Sequence, residues 1–217
     1  MLGVFAFFVL LYLADAFSRG FLSRNLILVP HKALSEPWTI VTTALIHFKI
    51  SHLLQTMLGL WFFGVPVENQ LGRRRTLITM FGAATLGSLV VAIIGQLAWP
   101  GQVYAAYDAT SMAMLGAFGI VYAQVPLSFF GVMQIRSTTL AAIFILIRVI
   151  SDLERADYFG AIGGVATAIC AAVLTGYIGR LLPLLRGYRE KLRKSKQRKG
   201  FVVIDGGKRP NEPRYWN

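Results

Sequence analysis

Apolar blocks long enough to cross a membrane constrain this chain more than any other feature of its sequence. A helix needs roughly 20 residues to cross a hydrocarbon core of about 30 Å. The chain is 55% hydrophobic and 15% charged, whereas about 25% of residues are charged in soluble domains. We therefore predict an all-α membrane protein, a bundle of six transmembrane helices. The six blocks are Leu2–Phe17, His52–Val67, Leu77–Leu97, Thr110–Val125, Thr138–Ile150 and Phe159–Leu182.

A strongly basic segment follows the last block. Arg186–Lys199 contains eight lysines and arginines and one glutamate, in a chain of net charge +12. We predict a membrane domain over residues 1–182 and a basic, disordered cytoplasmic tail over residues 183–217. A basic run beside a span follows the positive-inside rule and attracts anionic membrane lipids. Because no aromatic residues alternate with these cations, we expect no nucleic-acid partner.

The loop charges predict the orientation of the bundle. Arg73–Arg75 lie between the second and third blocks, and Arg136 lies between the fourth and fifth. Residues 100–108, between the third and fourth blocks, contain no lysine or arginine. The positive-inside rule then places both termini in the cytoplasm. Residues 18–37, the first loop, carry three cations and disagree with this assignment.

Small residues mark two of the blocks as packing partners. In the sixth block they recur at every fourth position, at Gly160, Gly164, Ala168, Ala172 and Gly176. The fourth block carries Ser111, Gly116 and Gly119 on roughly one face. Such ridges let two helices approach to backbone contact, so we predict that the fourth and sixth helices pack together.

Polar residues gather where three blocks meet the predicted outer surface, which suggests a shared pocket. They are His47, Lys49, Ser51, His52, Gln55, Thr56, Asp108, Thr110, Ser111, Asp152, Glu154 and Asp157. Polar groups in or beside spans are costly and are usually functional or paired. A structural interpretation stays open for each, since Ser51 and Asp108 are suitable helix caps and the histidines can bond to backbone.

We expect neither a metal nor a cofactor. His47 and His52 are five residues apart, out of phase on one helix, and no third ligand has a matching spacing. The single cysteine, Cys170, is read as a small apolar core residue.

Several of these residues resemble the motifs of the rhomboid family of intramembrane serine proteases. The second-span pattern of that family is matched by His47, His52, Gly64, Glu68, Leu71, Gly72 and Arg73–Arg75. Ser111, Gly116 and Gly119 match the nucleophile motif, and Gly163 and Gly164 match the glycine pair of the sixth span. The resemblance covers roughly residues 36–180. It implies a six-span core with Ser111 at the nucleophile position and His52 as the histidine beside the oxyanion.

The departures from the family pattern surround the same site. Ala161 stands where the family has the histidine that takes the serine proton, and Thr56 where it has the asparagine that helps to hold the oxyanion. Ala109 and Met112 replace the glycines that flank the serine, and the Trp-Arg pair of the first loop reads Trp38-Thr39. A serine hydroxyl is a weak nucleophile without a base, and losing one member of a catalytic unit costs several orders of magnitude in rate.

The resemblance therefore implies a pseudoprotease of the bacterial inner membrane, whose partners are lipids and the transmembrane segments of client proteins. The alternative is an active intramembrane serine endopeptidase in which His52 or Asp157 serves as the base. A small channel or transporter would predict charged residues deep in the spans or broken helices in matching halves, and the sequence indicates neither.

Overall fold

The computed structural model of the chain describes residues 1–99, 101–106, 108–129 and 133–177. These residues fall in one compact unit, Met1–Tyr177, and the second unit, Ile178–Asn217, lies outside the described residues. The predicted tail, 183–217, and the end of the sixth apolar block therefore lie outside them too, and both remain predictions.

Each of the six apolar blocks contains a helix. In chain order the elements are α1 (Leu2–Phe17), α2 (Phe21–Leu26), α3 (Thr39–Thr42), α4 (Ile50–Leu71), α5 (Arg73–Ala98), α6 (Ala109–Val121), β1 (Pro126–Phe129), β2 (Met133–Arg136), α7 (Ser137–Glu154) and α8 (Tyr158–Tyr177). Three of them, α4, α5 and α8, are long and apolar enough to cross a membrane, while α1 and α6 are shorter apolar helices. The six-span count thus remains a prediction.

The helix bounds differ from the predicted blocks where glycine or charge is involved. Gly72 separates α4 from α5 with φ +80° and ψ 153°, a conformation that is essentially restricted to glycine. Arg73–Arg75 therefore form the first turn of α5 and not a loop. At the other end of the bundle, α7 continues past the predicted end at Ile150 as far as Glu154.

A two-stranded antiparallel hairpin connects α6 to α7, where the sequence analysis placed only a loop. Pro126 of β1 is paired with Arg136 of β2, and Phe129 is paired with Met133. The hairpin leads directly into α7, which begins at the residue after β2 ends.

The first loop folds against the loop that precedes α6. The Leu28 carbonyl accepts a hydrogen bond from the Tyr104 backbone N–H at 2.8 Å, and the Thr43 hydroxyl donates to the Tyr104 carbonyl at 2.8 Å. The ring of Phe159, at the start of α8, lies edge-on to that of Tyr104. These contacts join the two loops and the start of α8 at the end of the bundle where α6 begins.

Helix α6 lies at the centre of the bundle. Ten of its thirteen residues are buried, so it is enclosed on nearly every side. A helix that is apolar all round suits such a position. Its Met114 belongs to a core cluster with Phe8 of α1, Leu60 of α4 and Met80 of α5. The serine singled out in the sequence therefore sits in the first turn of the most enclosed helix.

Candidate functional site

Ser111 lies in the first turn of α6, and its hydroxyl donates to the backbone carbonyl of Asp108 at 2.8 Å. Short hydroxyl side chains commonly bond in this way to a carbonyl of the preceding turn. A backbone carbonyl cannot take up the proton, so this bond orients the hydroxyl without activating it.

The second helix approaches Ser111 closely at Gly59. A Cβ atom added to Gly59 would lie 2.6 Å from the Cβ of Ser111, nearer than real Cβ atoms pack. Ser111 is predicted from the sequence to face the sixth helix, whereas this contact is with α4. A five-residue π turn, Leu60–Gly64, begins directly after the contact. Such turns are rare, and they are frequent at functional sites.

The packing of α6 on α8 fixes the level of Ala161. A Cβ on Gly164 would lie 3.8 Å from Met112, and one on Gly116 would lie 2.2 Å from the carbonyl oxygen of Ala168. Both pairs are 52 positions apart in the sequence (112 to 164 and 116 to 168), so the two helices run in the same direction. By this register the buried Ala161 lies at the level of Ala109, within one turn of Ser111.

The other small residues of the predicted ridge have different neighbours. Gly119 lies against Ala141 of α7, and Gly160 lies against Asp152 and Asp157. A Cβ on Gly176 would meet no atom within 4 Å in the described part of the chain. The close contact between α6 and α8 is thus at Gly116.

His47 and Thr56, from the family-like second-span pattern, contact one another. The Nδ1 of His47 lies 3.2 Å from the carbonyl oxygen of Leu45, and its Nε2 lies 3.3 Å from the Thr56 hydroxyl. In the neutral ring, Nδ1–H donates to the carbonyl and Nε2 accepts from the hydroxyl. Both residues are buried, and the ring of Phe8 packs edge-on against the imidazole.

His52 is half-buried in the first turn of α4. It lies within electrostatic reach of Lys49, Asp108, Arg148 and Arg155. The second histidine of the pattern therefore faces the charged end of the site, whereas the first belongs to the packed interior.

Three buried charged residues hold the start of α6 to the end of α7. The Nε of Arg148 pairs with Oδ2 of Asp108, and its Nη1 pairs with Oδ1 of Asp152. All three are at most 7% exposed. Asp152 is one of the polar residues predicted at the outer surface, whereas no role is predicted for Arg148. The available signal was an arginine inside an apolar block with an aspartate four residues later, a spacing that puts the two on one helix face.

Asp157, the carboxylate predicted as an alternative base, caps the next helix. Its Oδ1 accepts a hydrogen bond from the Gly160 backbone N–H at 2.8 Å, which satisfies one of the free donors in the first turn of α8. The nearby carboxylates of Asp108, Asp152 and Asp157 all therefore have structural partners.

A cavity of about 760 Å³ opens beside Ser111. Its walls come from α4, α6 and α7, and most of the lining side chains are apolar. The polar lining residues, all placed toward one end, are Gln55, Ser111, Arg148, Ser151 and Arg155. Four apolar lining residues are exposed, namely Leu58 (58%), Phe62 (64%), Phe144 (41%) and Ile147 (54%). The cavity is thus a groove open to the surroundings between α4 and α7.

Among the described residues, no three histidine, cysteine, aspartate or glutamate side chains are grouped so that they could hold a metal ion. Cys170 is half-buried in α8 and forms no disulfide.

Comparison with known protein families gives a match to most of the chain. The profile of the Rhomboid domain matches residues 34–178, which include α3 to α8, Ser111 and the groove. No curated protein matches the chain.

Proposed function

Because the chain belongs to the rhomboid family, we propose that it is a rhomboid pseudoprotease, which binds transmembrane segments of client proteins without cleaving them. The match covers about two thirds of the chain, and the apolar helices agree with an integral membrane protein. On this proposal the chain lies in a bacterial inner membrane with both termini in the cytoplasm.

The observation that carries the proposal is the side chain at Ala161. By the register of α6 on α8, this methyl group lies within one turn of Ser111 on the helix that supplies the base in the family. General-base catalysis needs a titratable group within hydrogen-bond reach of the hydroxyl. A methyl group offers none, and the Ser111 proton is donated to a backbone carbonyl instead.

The neighbouring carboxylates support the same proposal. Asp108 and Asp152 flank Arg148 in a buried ionic network, and Asp157 caps α8. Breaking a buried ion pair leaves an uncompensated charge, so these carboxylates have a structural reason to be present. Of the two alternative bases that the resemblance leaves open, His52 remains. Reactivity that depends on Ser111 would show that His52 activates the hydroxyl.

The groove supplies the binding function. Its open side lies between α4 and α7, and the exposed lining residues are apolar, as is suitable for the side chains of a second transmembrane helix. Van der Waals packing drives the association of helices in lipid, where no hydrophobic force acts between them. The apolar groove therefore offers a client helix packing contacts that lipid chains replace only partly.

The test is a binding measurement with a defined peptide. A helical Leu-Ala peptide of about 20 residues, carrying a photoreactive leucine, is incorporated with the purified protein into phosphatidylcholine nanodiscs. We expect saturable crosslinking that Ile147→Trp, which fills the groove, reduces severalfold. Ile150→Trp is the matched control, because Ile150 is also exposed on α7 but does not line the groove. Equal crosslinking in the two variants would contradict a client site in the groove.

A further inference from the structure

The charged residues that line the polar end of the groove are positive. Two charged residues line it within the described part of the chain, and both are arginines, Arg148 and Arg155. Arg148 is buried and bridges Asp108 and Asp152, so its charge is compensated inside the protein.

Arg155 is in a different position. It is exposed, directly after α7 ends, and it forms no salt bridge with any residue that the structure describes. Three carboxylates lie within three residues of it in the sequence. Asp152 is paired with Arg148, Asp157 is bonded to the Gly160 N–H, and the exposed Glu154 forms no salt bridge within the described part of the chain. The guanidinium of Arg155 is therefore available to a group that enters the groove.

We infer that Arg155 is a specificity-determining residue, which selects client helices with a carboxylate, from Asp or Glu, at the end that reaches the polar end of the groove. This inference rests on the proposed function. It names the chemical class of the client, a transmembrane segment with an acidic residue near one terminus.

Charge complementarity and length support this class of client. From Leu140 to Arg155, both lining the groove, the chain rises about 22 Å at 1.5 Å per residue. A client helix can thus place several turns against the apolar wall while one terminus lies beside Arg155. A carboxylate near the membrane core is costly, and an arginine pairs with it through two parallel hydrogen bonds. The groove therefore favours the acidic helix over its neutral counterpart.

Two peptides that differ in one residue test the inference. Both are the Leu-Ala photoreactive helix, with two lysines at one end and either Glu or Gln near the other. They are titrated against the full chain in phosphatidylcholine nanodiscs, and half-saturation of crosslinking is measured. We expect the Glu peptide to bind at least about fivefold more tightly, since hydrogen bonds to charged groups are stronger than neutral ones.

The variants identify the residue responsible. Arg155→Gln should remove the preference for Glu. Arg24→Gln, which removes an exposed charge from the first loop and not from the groove, should leave it unchanged. Arg155→Glu should reverse the preference toward a peptide with Lys in place of the Glu.

The outcomes separate this inference from the proposed function. Equal binding of the Glu and Gln peptides, still reduced by Ile147→Trp, overturns the inference alone. Binding of neither peptide in an Ile147-sensitive manner overturns the proposed function with it. The titrations are repeated in nanodiscs that also contain photoreactive phosphatidylglycerol. Arg155-dependent capture of that lipid, without any preference between the peptides, would make the groove a lipid site, and that result also overturns the inference.

Discussion

At Ser111, a single methylene group determines how closely two helices approach. The Cβ of Ser111 occupies the space that a side chain at position 59 would need, so Gly59 and Ser111 form a complementary pair between α4 and α6. The hydroxyl donates a hydrogen bond to the carbonyl of Asp108. It faces no histidine from α8, because residue 161 is an alanine. Both features are consistent with a serine retained for packing.

A double-mutant cycle tests this packing. Gly59→Ala should destabilise the protein by about 1–3 kcal/mol, because the new methyl group overlaps the Ser111 Cβ. Ser111→Gly removes that atom and leaves the Ser111 Cα, 3.8 Å away, as the nearest one. The double variant should therefore be more stable than Gly59→Ala alone, as measured by thermal unfolding in mild detergent. Additive losses would show that the two residues are not coupled.

Sequence reasoning identified one member of this pair. Ser111 and Ala161 were found because family-like motifs surround them. Gly59 was missed, because a lone glycine in an apolar helix carries no periodic signal, and the residue opposite it is known only once α4 and α6 have been placed. Likewise, Gly116 and Gly119 are predicted to share one helix contact. In the structure Gly116 packs against Ala168, whereas Gly119 packs against Ala141.

At the scale of elements, the joint between α6 and α7 is ionic. The predicted fifth block ends at Ile150, because a hydropathy pattern counts Arg148 and Asp152 as two separate unfavourable charges. In the structure they form an ion pair with Asp108, so the helix continues to Glu154 with these charges buried. Arg148 can stay buried inside the helix because it pairs with Asp108, 40 positions away. Periodicity does not reveal so distant a partner. By contrast, the apolar blocks located a helix in all six places, since block length depends on the local sequence alone.

Removing Arg148 should be costly. Arg148→Met leaves the carboxylates of Asp108 and Asp152 buried without their cation, and breaking such a pair typically costs about 3–5 kcal/mol. We expect a large fall in the melting temperature of the purified protein. The control is Arg136→Met, an exposed arginine directly before α7, which should change stability by no more than about 0.5 kcal/mol. Similar melting temperatures for the two variants would mean that the ionic network contributes no stability.

For the whole molecule, contacts near the helix ends and between loops indicate which ends of the helices lie together. The Arg73 guanidinium lies near Gly3, and the Tyr122 hydroxyl donates to the Pro66 carbonyl at 3.0 Å, so the ends of α1, α4 and α6 meet there. The first loop and the loop before α6 meet at Leu28 and Tyr104. The positive charge of Arg73–Arg75 predicts that this end is cytoplasmic.

Cysteine accessibility tests this orientation. In a Cys170→Ser background, Gly101→Cys and Arg74→Cys each introduce one thiol at an exposed position. A membrane-impermeant maleimide applied to intact bacterial cells should label the Gly101→Cys protein, and should label the Arg74→Cys protein only after lysis. The reverse order would invert the predicted topology, and Cys170→Ser alone serves as the unlabelled control.

The central claim, a rhomboid fold without a working serine, is tested most directly by labelling with a fluorophosphonate probe. The purified full chain and its Ser111→Ala variant are treated in parallel, with an active rhomboid protease as the positive control. We predict that the two proteins give the same background while the protease is labelled. Labelling of the wild-type chain that is lost in Ser111→Ala would contradict the claim, because it would show that a base, His52 foremost, activates the hydroxyl.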